Sequence, residues 1–405
     1  MVDTTELLLR INKEEYRICF KNLRKYSKSR QKNLHEDKKC SNQFYKKYVT
    51  EAGKHLGFNQ IYLTRKKLEG GHLYHIGMIL QPVKQLGNHN HYDVCRSDQM
   101  EEVGTIFDKQ IEVFFGEDSS LTSFFYWHPK RIDYAFSIEL DSRSILENYI
   151  KLFQRTNIPK RFKEPYIMEQ HRRGQREGSF YIMINEYVHI NFYDKFDQRV
   201  KKAIKENEVL VIYKRNIIRF EIQCFPRKVN NIKYSKRFES KMLLNFLDPI
   251  IAEEVLLKYY EKTIGFGDYY TYSNAIKLIE KSKFETKIKK EMVELVKLIR
   301  QKRNINEAKK EYVDEKNKSE DRFYLLIKKL NDYGINPVTI PKSWKVRDGF
   351  LPNPISEIKN NFQSHQCYYS LRDALLEAPF KSKSDCEDSN EESTFEDIYT
   401  FSENI

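Results

Sequence analysis

Three short runs in this 405-residue chain carry side chains suited to phosphodiester chemistry: Arg131-Ile-Asp133, Tyr193-Asp-Lys195 and Arg219-Phe-Glu221. Two carboxylates on neighbouring strands can share a hard divalent cation, Mg²⁺ or Mn²⁺, through oxygen ligands. A tyrosine on the same face would then stand near a phosphate that the ion polarises. Phenol titrates near ~10, so such a nucleophile needs help at neutral pH. Lys195 and the metal are expected to supply it by stabilising the phenolate. Asp133 and Glu221 are therefore the expected metal ligands, and Tyr193 and Lys195 the expected catalytic pair.

These side chains can meet only if their segments are strands of one sheet. Residues 131–140, 180–193 and 209–225 read as strands, because alternate side chains face opposite sides. Ile132, Tyr134, Phe136 and Ile138 form one apolar set, with Arg131, Asp133, Ala135 and Ser137 opposite. Ile218, Phe220, Ile222 and Cys224 form a second, with Arg219, Glu221 and Gln223 opposite. Val188, Ile190 and Phe192 form a third, with His189, Asn191, Tyr193 and Lys195 opposite. Any half-exposed sheet alternates in this way; the repeated Arg-x-acid pattern is what sets these strands apart.

The remaining elements frame that sheet. Residues 5–55 read as Lys-, Arg- and Tyr-rich helices, and 60–66 with 72–81 as paired strands around Leu68-Glu-Gly-Gly71. Helical periodicity over 144–154 ends near Asn157-Ile-Pro159. The predicted fold class is α+β with a mainly antiparallel sheet. Near residue 236 the pattern turns helical, with a break at Gly265-Phe-Gly267. Segments 272–282, 285–301 and 304–312 make a tri-helical, helix-turn-helix-like unit. A further helix over 322–333 ends at Gly334-Ile-Asn-Pro337, and the Pro-rich stretch through Pro354 reads as extended. The expected organisation is 1–235 as an α+β unit, 236–345 helical, 346–383 extended, and 384–405 an acidic tail too poor in apolar residues to fold alone.

Charge points to a polyanionic partner. The chain carries +13, yet residues 384–405 hold eight carboxylates and no Lys or Arg; without them +21 remains on residues 1–383. Neutralising phosphates with such a surface releases condensed counterions. No stretch has the ~18 unbroken apolar residues of a membrane span, and the six cysteines show no CxxC pair. A cytoplasmic protein without disulfides is the expectation.

RIDYAF, INFYDK and IIRFEIQC, in this order over residues 131–224, resemble the replication initiators of rolling-circle plasmids of the Rep_trans type. They are also similar to filamentous-phage replication nickases and the related relaxases. The resemblance implies a nicking domain with an HUH/Rep-like palm, followed by a helix-turn-helix-like domain. It implies that Tyr193 attacks a phosphodiester and stays joined to the 5′ end, with Asp133 and Glu221 serving the metal. It further implies DNA of a replication origin as partner, a host helicase loaded there, and a homodimer. Arg131 and Arg219 with Arg172, Arg173 and Arg176 are the expected DNA contacts. In many relatives a Gly-Ser-Arg-x-Ser element precedes the tyrosine strand; here the stretch is Gly178-Ser-Phe-Tyr-Ile182, without that arginine.

Competing sites are weaker. His72 and His75 have two residues between them and do not share a strand face; His89-Asn-His91 has alternate spacing in a loop-like setting; His128 and His189 stand singly. Tyr181 and Tyr187 lie in the same region as Tyr193 but lack a lysine two residues on, and Tyr234-Ser-Lys-Arg237 also sits amid positive charge; the family match selects Tyr193. A non-catalytic origin-binding initiator would keep the basic surface and have no use for Asp133, Glu221 and Tyr193 together. A conjugative relaxase would use the same chemistry as a replication initiator.

Overall fold

The computed structural model describes residues 1–87, 93–117, 121–166, 180–206, 215–315, 318–344 and 346–355. Ten strands form one sheet: β1 (Val2–Ile11), β2 (His35–Glu36), β3 (Tyr45–Thr50), β4 (Phe58–Leu68), β5 (Gly71–Leu80), β6 (His128–Glu139), β7 (Lys163–Tyr166), β8 (Phe180–Ile184), β9 (Val188–Asp194) and β10 (Ile217–Cys224). Their order is β2-β3-β4-β5-β1-β6-β10-β9-β8-β7, and the pairings are antiparallel. The fold is α+β with a large antiparallel sheet, as the alternation predicts.

Helices α1 (Lys13–Ser29), α2 (Pro82–Gln85), α3 (Met100–Phe115), α4 (Arg143–Phe153), α5 (Lys195–Glu206), α6 (Pro226–Lys236), α7 (Leu243–Phe246) and α8 (Pro249–Thr263) follow the strands. The apolar sets on β6, β10 and β9 share one face, and α1, α3, α4, α6 and α8 cover it. Phe153 of α4 packs on Phe192 with ring centroids 5.3 Å apart, and Tyr260 of α8 on Phe220 at 5.5 Å. Toward the other end of the sheet, Tyr16 of α1 meets Tyr74 of β5, and Phe107 of α3 meets Phe58 of β4. One continuous hydrophobic cluster runs from Val2 to Ile355. The opposite face is mainly polar, with a small apolar cluster of Leu8, Val49 and Tyr62, and α5 crosses part of it.

Two sequence expectations are corrected. Residues 5–55 are not helices throughout: β1 occupies the centre of the sheet between β5 and β6, and β3 lies toward its edge. The run Leu7-Leu8-Leu9 puts leucine on both faces of β1 and so hides a period of two. Helix α1 starts after β1 at a capping box, where Asn12 Oδ1 accepts from Glu14 N and Glu15 N and the Glu15 carboxylate accepts from Asn12 N. The segment 180–193 is two strands, not one. Asn185 Oδ1 accepts from Tyr187 N at 2.8 Å and Val188 N at 2.7 Å, an Asx turn that folds β8 back on β9.

The later helices are α9 (Tyr272–Lys281), α10 (Thr286–Lys302), α11 (Ile305–Lys310) and α12 (Glu320–Asp332), close to the segments the periodicity marks. Strands β11 (Tyr269–Tyr270) and β12 (Phe350–Leu351) pair and hold the Pro-rich stretch on the body. Gly267 permits that closure, because a Cβ there would stand 2.3 Å from the Ile335 carbonyl carbon. The acidic tail and Arg172, Arg173 and Arg176 lie outside the described residues. Among the described residues no helix is long and apolar enough to cross a membrane.

Asn353 ties the stretch down. Its amide donates to the carbonyls of Gly265 (3.0 Å) and Gly267 (2.8 Å), and its Oδ1 accepts from the Tyr260 hydroxyl at 2.6 Å. Each of these buried groups loses its partner in Asn353→Ala, at about 1–3 kcal/mol per orphaned group. We expect that variant to be less stable by about 3 kcal/mol. The measurement is its urea midpoint, and a midpoint equal to the parent's would contradict the role given to Asn353.

Candidate active site

Sheet register brings the three motifs together. Strand β10 lies between β6 and β9, with Arg219 opposite both Ser137 and Tyr193, Glu221 opposite Ala135 and Asn191, and Gln223 opposite Asp133 and His189. Antiparallel partners point to the same face. Asp133, Tyr193, Arg219 and Glu221 therefore converge on the polar face.

Their hydrogen bonds form one network. The Tyr193 hydroxyl donates to Glu221 Oε2 at 2.6 Å. Glu221 Oε1 accepts from Gln223 Nε2 at 2.6 Å and from Asn191 Nδ2 at 3.3 Å. Arg219 donates through Nε to Ser137 Oγ at 2.9 Å and through Nη1 to Asp3 Oδ1, and it also hydrogen-bonds the Tyr193 hydroxyl. Arg131 grips Asp133 with two parallel bonds, at 2.8 and 2.5 Å. Such bidentate pairs are the strong kind.

Asp194 in the Tyr-Asp-Lys run acts locally. Its Oδ1 accepts from Phe196 N and Asp197 N, and its Oδ2 pairs with Arg143, so it ends β9 and caps α5. Lys195 is thus the first residue of a helix, not a strand residue. Its Nζ still reaches the network, 3.9 Å from Asp3 Oδ1 and 5.6 Å from the centroid of the Tyr193 ring.

Asp133 and Glu221 line one cavity of about 170 Å³ together with Asp3, Arg131, Lys195 and Gln223. Gln198, Arg199 and Lys202 of α5 close one side. That volume is below the about 300 Å³ where small-molecule clefts begin, and suits a phosphate group or an ion. Tyr193 is not among the residues that line it: the side chain is 1% exposed and its hydroxyl is hydrogen-bonded to Glu221. Arg219 is 0% exposed, so its guanidinium is enclosed by protein.

Burial sets the electrostatics. It pushes the Asp133 carboxyl up to about 8 against the Arg131 guanidinium, with Glu221 and Asp3 adding like charge. Burial likewise raises the Tyr193 phenol well above its ordinary value; the Glu221 carboxylate adds to this and Arg219 opposes it. In this arrangement the phenol is the proton donor, not the stabilised phenolate expected from Lys195 nearby. Burial also lowers Lys195 to about 8, helped by Arg219 and opposed by Asp3 and Glu221. Asp3 is held below the usual carboxylate range: burial works against its charge, and Lys195 and Arg219 outweigh it.

The two expected metal ligands line one cavity, but their oxygens already have partners: both Asp133 oxygens accept from Arg131, and those of Glu221 accept from Tyr193, Gln223 and Asn191. Among the described residues no three His, Cys, Asp or Glu side chains form a coordinating group. Asp133 and Glu221 would hold a divalent ion only by giving up some of these hydrogen bonds. Of the histidines, His72 is exposed and His75 is buried on the polar face, while His189 borders the network, opposite Gln223 and hydrogen-bonded to it, with its ring against Phe225. His89 and His91 fall outside the described residues.

Asp3, Asn191 and Gln223 belong to the site and were not singled out from the sequence. Asn191 and Gln223 sit at alternate positions beside motif residues, which was a usable signal. Asp3 had none, since its position depends on a β-bulge between Val2 and Thr4 of β1. Compared with protein-family models, curated proteins and solved structures, the chain matches none of them.

Lys195 gives this site a measurable titration. Its folded value is about 8 and an unfolded lysine's 10.5. Between those values the unfolded chain holds a proton that folded Lys195 has released, so its contribution to stability rises as pH rises. Relative to Lys195→Met, the parent should gain up to about 3 kcal/mol between pH 8 and 10.5. Parallel stability–pH curves for the two proteins would refute the buried titration.

Proposed function

We propose that this chain nicks one strand of DNA through Tyr193, with the polar sheet face acting as an HUH/Rep-like palm in the initiation of rolling-circle replication. The observation that carries this reading is the 2.6 Å hydrogen bond from the Tyr193 hydroxyl to Glu221 within reach of Arg219. A nucleophile bound to a base, with the base oriented by further groups, is the arrangement that covalent catalysis needs. Here Gln223 and Asn191 orient Glu221.

In the proposed reaction Glu221 accepts the phenolic proton and Arg219 steadies the phenolate. Tyr193 Oη attacks phosphorus, the bond from phosphorus to the 3′ oxygen breaks, and a 5′-phosphotyrosyl ester forms. Lys195, which gives up its proton near pH 8, returns one to the leaving oxygen and frees a 3′-OH. Arg131, Arg199 and Lys202 line the cavity and hold the phosphate oxygens. Arg219, expected from the sequence to contact DNA, acts on Tyr193 because protein encloses it. A Mg²⁺ or Mn²⁺ ion between Asp133 and Glu221 would supply Lewis-acid polarisation of the phosphate. The tri-helical unit α9–α11 would contact the origin duplex; helicase loading and dimerisation follow from the family resemblance alone, and a cytoplasmic setting from the cysteine usage.

One observation favours the second reading, a non-catalytic origin-binding initiator: the Tyr193 phenol is buried and does not line the cavity, so attack requires side chains around it to move. The two readings separate in one experiment. Tyr193→Phe should lose nicking of supercoiled origin DNA in Mg²⁺ and the covalent DNA–protein adduct on denaturing gels, with origin binding within about threefold of the parent. Full nicking by Tyr193→Phe would remove the assignment, and no nicking by the parent would leave the second reading.

A further inference from the structure

A second cavity, larger than the polar-face site, lies away from it. It is an open groove of about 1460 Å³ on the helix-covered side, between α6, α8, α12, the loop 157–163 and the β8–β9 turn. That exceeds the about 300–1,000 Å³ of small-molecule clefts, so an extended ligand fits it better than a compact one.

Cations gather on one wall. Lys258 and Lys262 stand one turn apart on α8, where like charges repel, and Lys228 of α6 joins them. Burial, with Lys258 and Lys262 adding, holds Lys228 below the ordinary lysine value against the nearby Cys224. Among the described residues none of these three lysines has a carboxylate at ion-pairing distance. Lys160, Arg161 and Lys163 extend the charge along the loop. The groove also contains five acids: Glu186 is paired with Arg227, Asp332 with Lys328 and Glu320 with Lys309, while Glu261 and Asp321 offset part of the charge of the lysines and arginines that line it.

Aromatic faces line the same groove. Tyr234 of α6 is 61% exposed and Tyr187 in the β8–β9 turn 36%, and both border the cavity. Exposed tyrosines interleaved with cations are the furniture of single-strand binding: phosphates track the charge, and unstacked bases lie on the rings. A duplex offers no free base face to these rings.

We propose that this groove binds single-stranded nucleic acid, with phosphates on Lys228, Lys258 and Lys262 and bases stacked on Tyr234 and Tyr187. The groove's own geometry carries this, and loss of nicking by Tyr193→Phe leaves it untouched.

The test uses the full chain and a fluorescent oligothymidylate titrated across a NaCl series. Lys258→Glu with Lys262→Glu should weaken binding and lower the slope of log affinity against log salt by about 1.4, about 0.7 for each lost phosphate. Tyr234→Ala should weaken binding on the order of tenfold. These residues are exposed, and an unchanged thermal midpoint verifies that the variants fold. Photocrosslinks from an iodouridine-substituted oligonucleotide should map to Tyr234 or Tyr187. Three results would each overturn the proposal: parental affinity and salt slope in the variants, crosslinks confined to the polar sheet face, or equal sensitivity of duplex and single-strand binding to Tyr234→Ala. A peptide of residues 384–405 whose binding alone depends on these side chains would overturn it too, making the groove a seat for acidic peptide.

Discussion

A guanidinium cut off from solvent must find its counter-charge inside the protein, and Arg219 finds it in Asp3. Leaving either partner buried alone would cost several kcal/mol, so the two must meet in every folded molecule. They lie 216 positions apart in sequence. Asp3 reaches Arg219 because β1 enters the sheet beside β6 with a bulge at Asp3, which turns that side chain onto the polar face. The same bulged strand pairs with β5 on its other edge. The N-terminal strand therefore joins two otherwise separate ladders, β2–β5 and β6–β10, into one sheet.

That sheet divides its labour by face. The helix-covered face carries the aromatic core, and its packing fixes the strand positions to within the tolerance of a close-packed interior. The polar face inherits this rigidity without supplying it. Asp133, Glu221 and Lys195 can be held with unfavourable burial because the opposite side of the same strands is satisfied by Phe136, Phe192 and Phe220. Sites that hold charges at some cost commonly stand on a scaffold stable for other reasons.

Much of this was legible in the sequence, and the gaps have physical causes. Alternation identified the β6, β9 and β10 segments and which residues share a face, since period two is a local property. Adjacency of those strands is not local; it follows from long-range pairing, and the residue order alone left it open. The helices after residue 270 were legible because their 3.6 period and caps are written locally. Strand β1 was missed because Leu7, Leu8 and Leu9 serve both sides of a buried central strand. Asp3 was missed because a bulge has no sequence signature there. Burial of Tyr193 was illegible as well: alternation assigns a face and does not say what else covers it.

That burial bears on the proposed chemistry in a particular way. A buried phenol resists ionisation because moving its proton to water creates a charge in a poorly solvated place. Moving the proton to Glu221 creates none. The pair carries one negative charge before and after, displaced over a 2.6 Å hydrogen bond, and Arg219 already faces the oxygen that becomes charged. The protein dipoles are then in place before the charge shifts, which is how a preorganised site lowers a barrier. The raised phenol therefore opposes loss of its proton to solvent far more than transfer to Glu221. On the nicking reading, burial keeps Tyr193 neutral until Glu221 takes its proton, and the protonated Glu221 can then move aside for the phosphate.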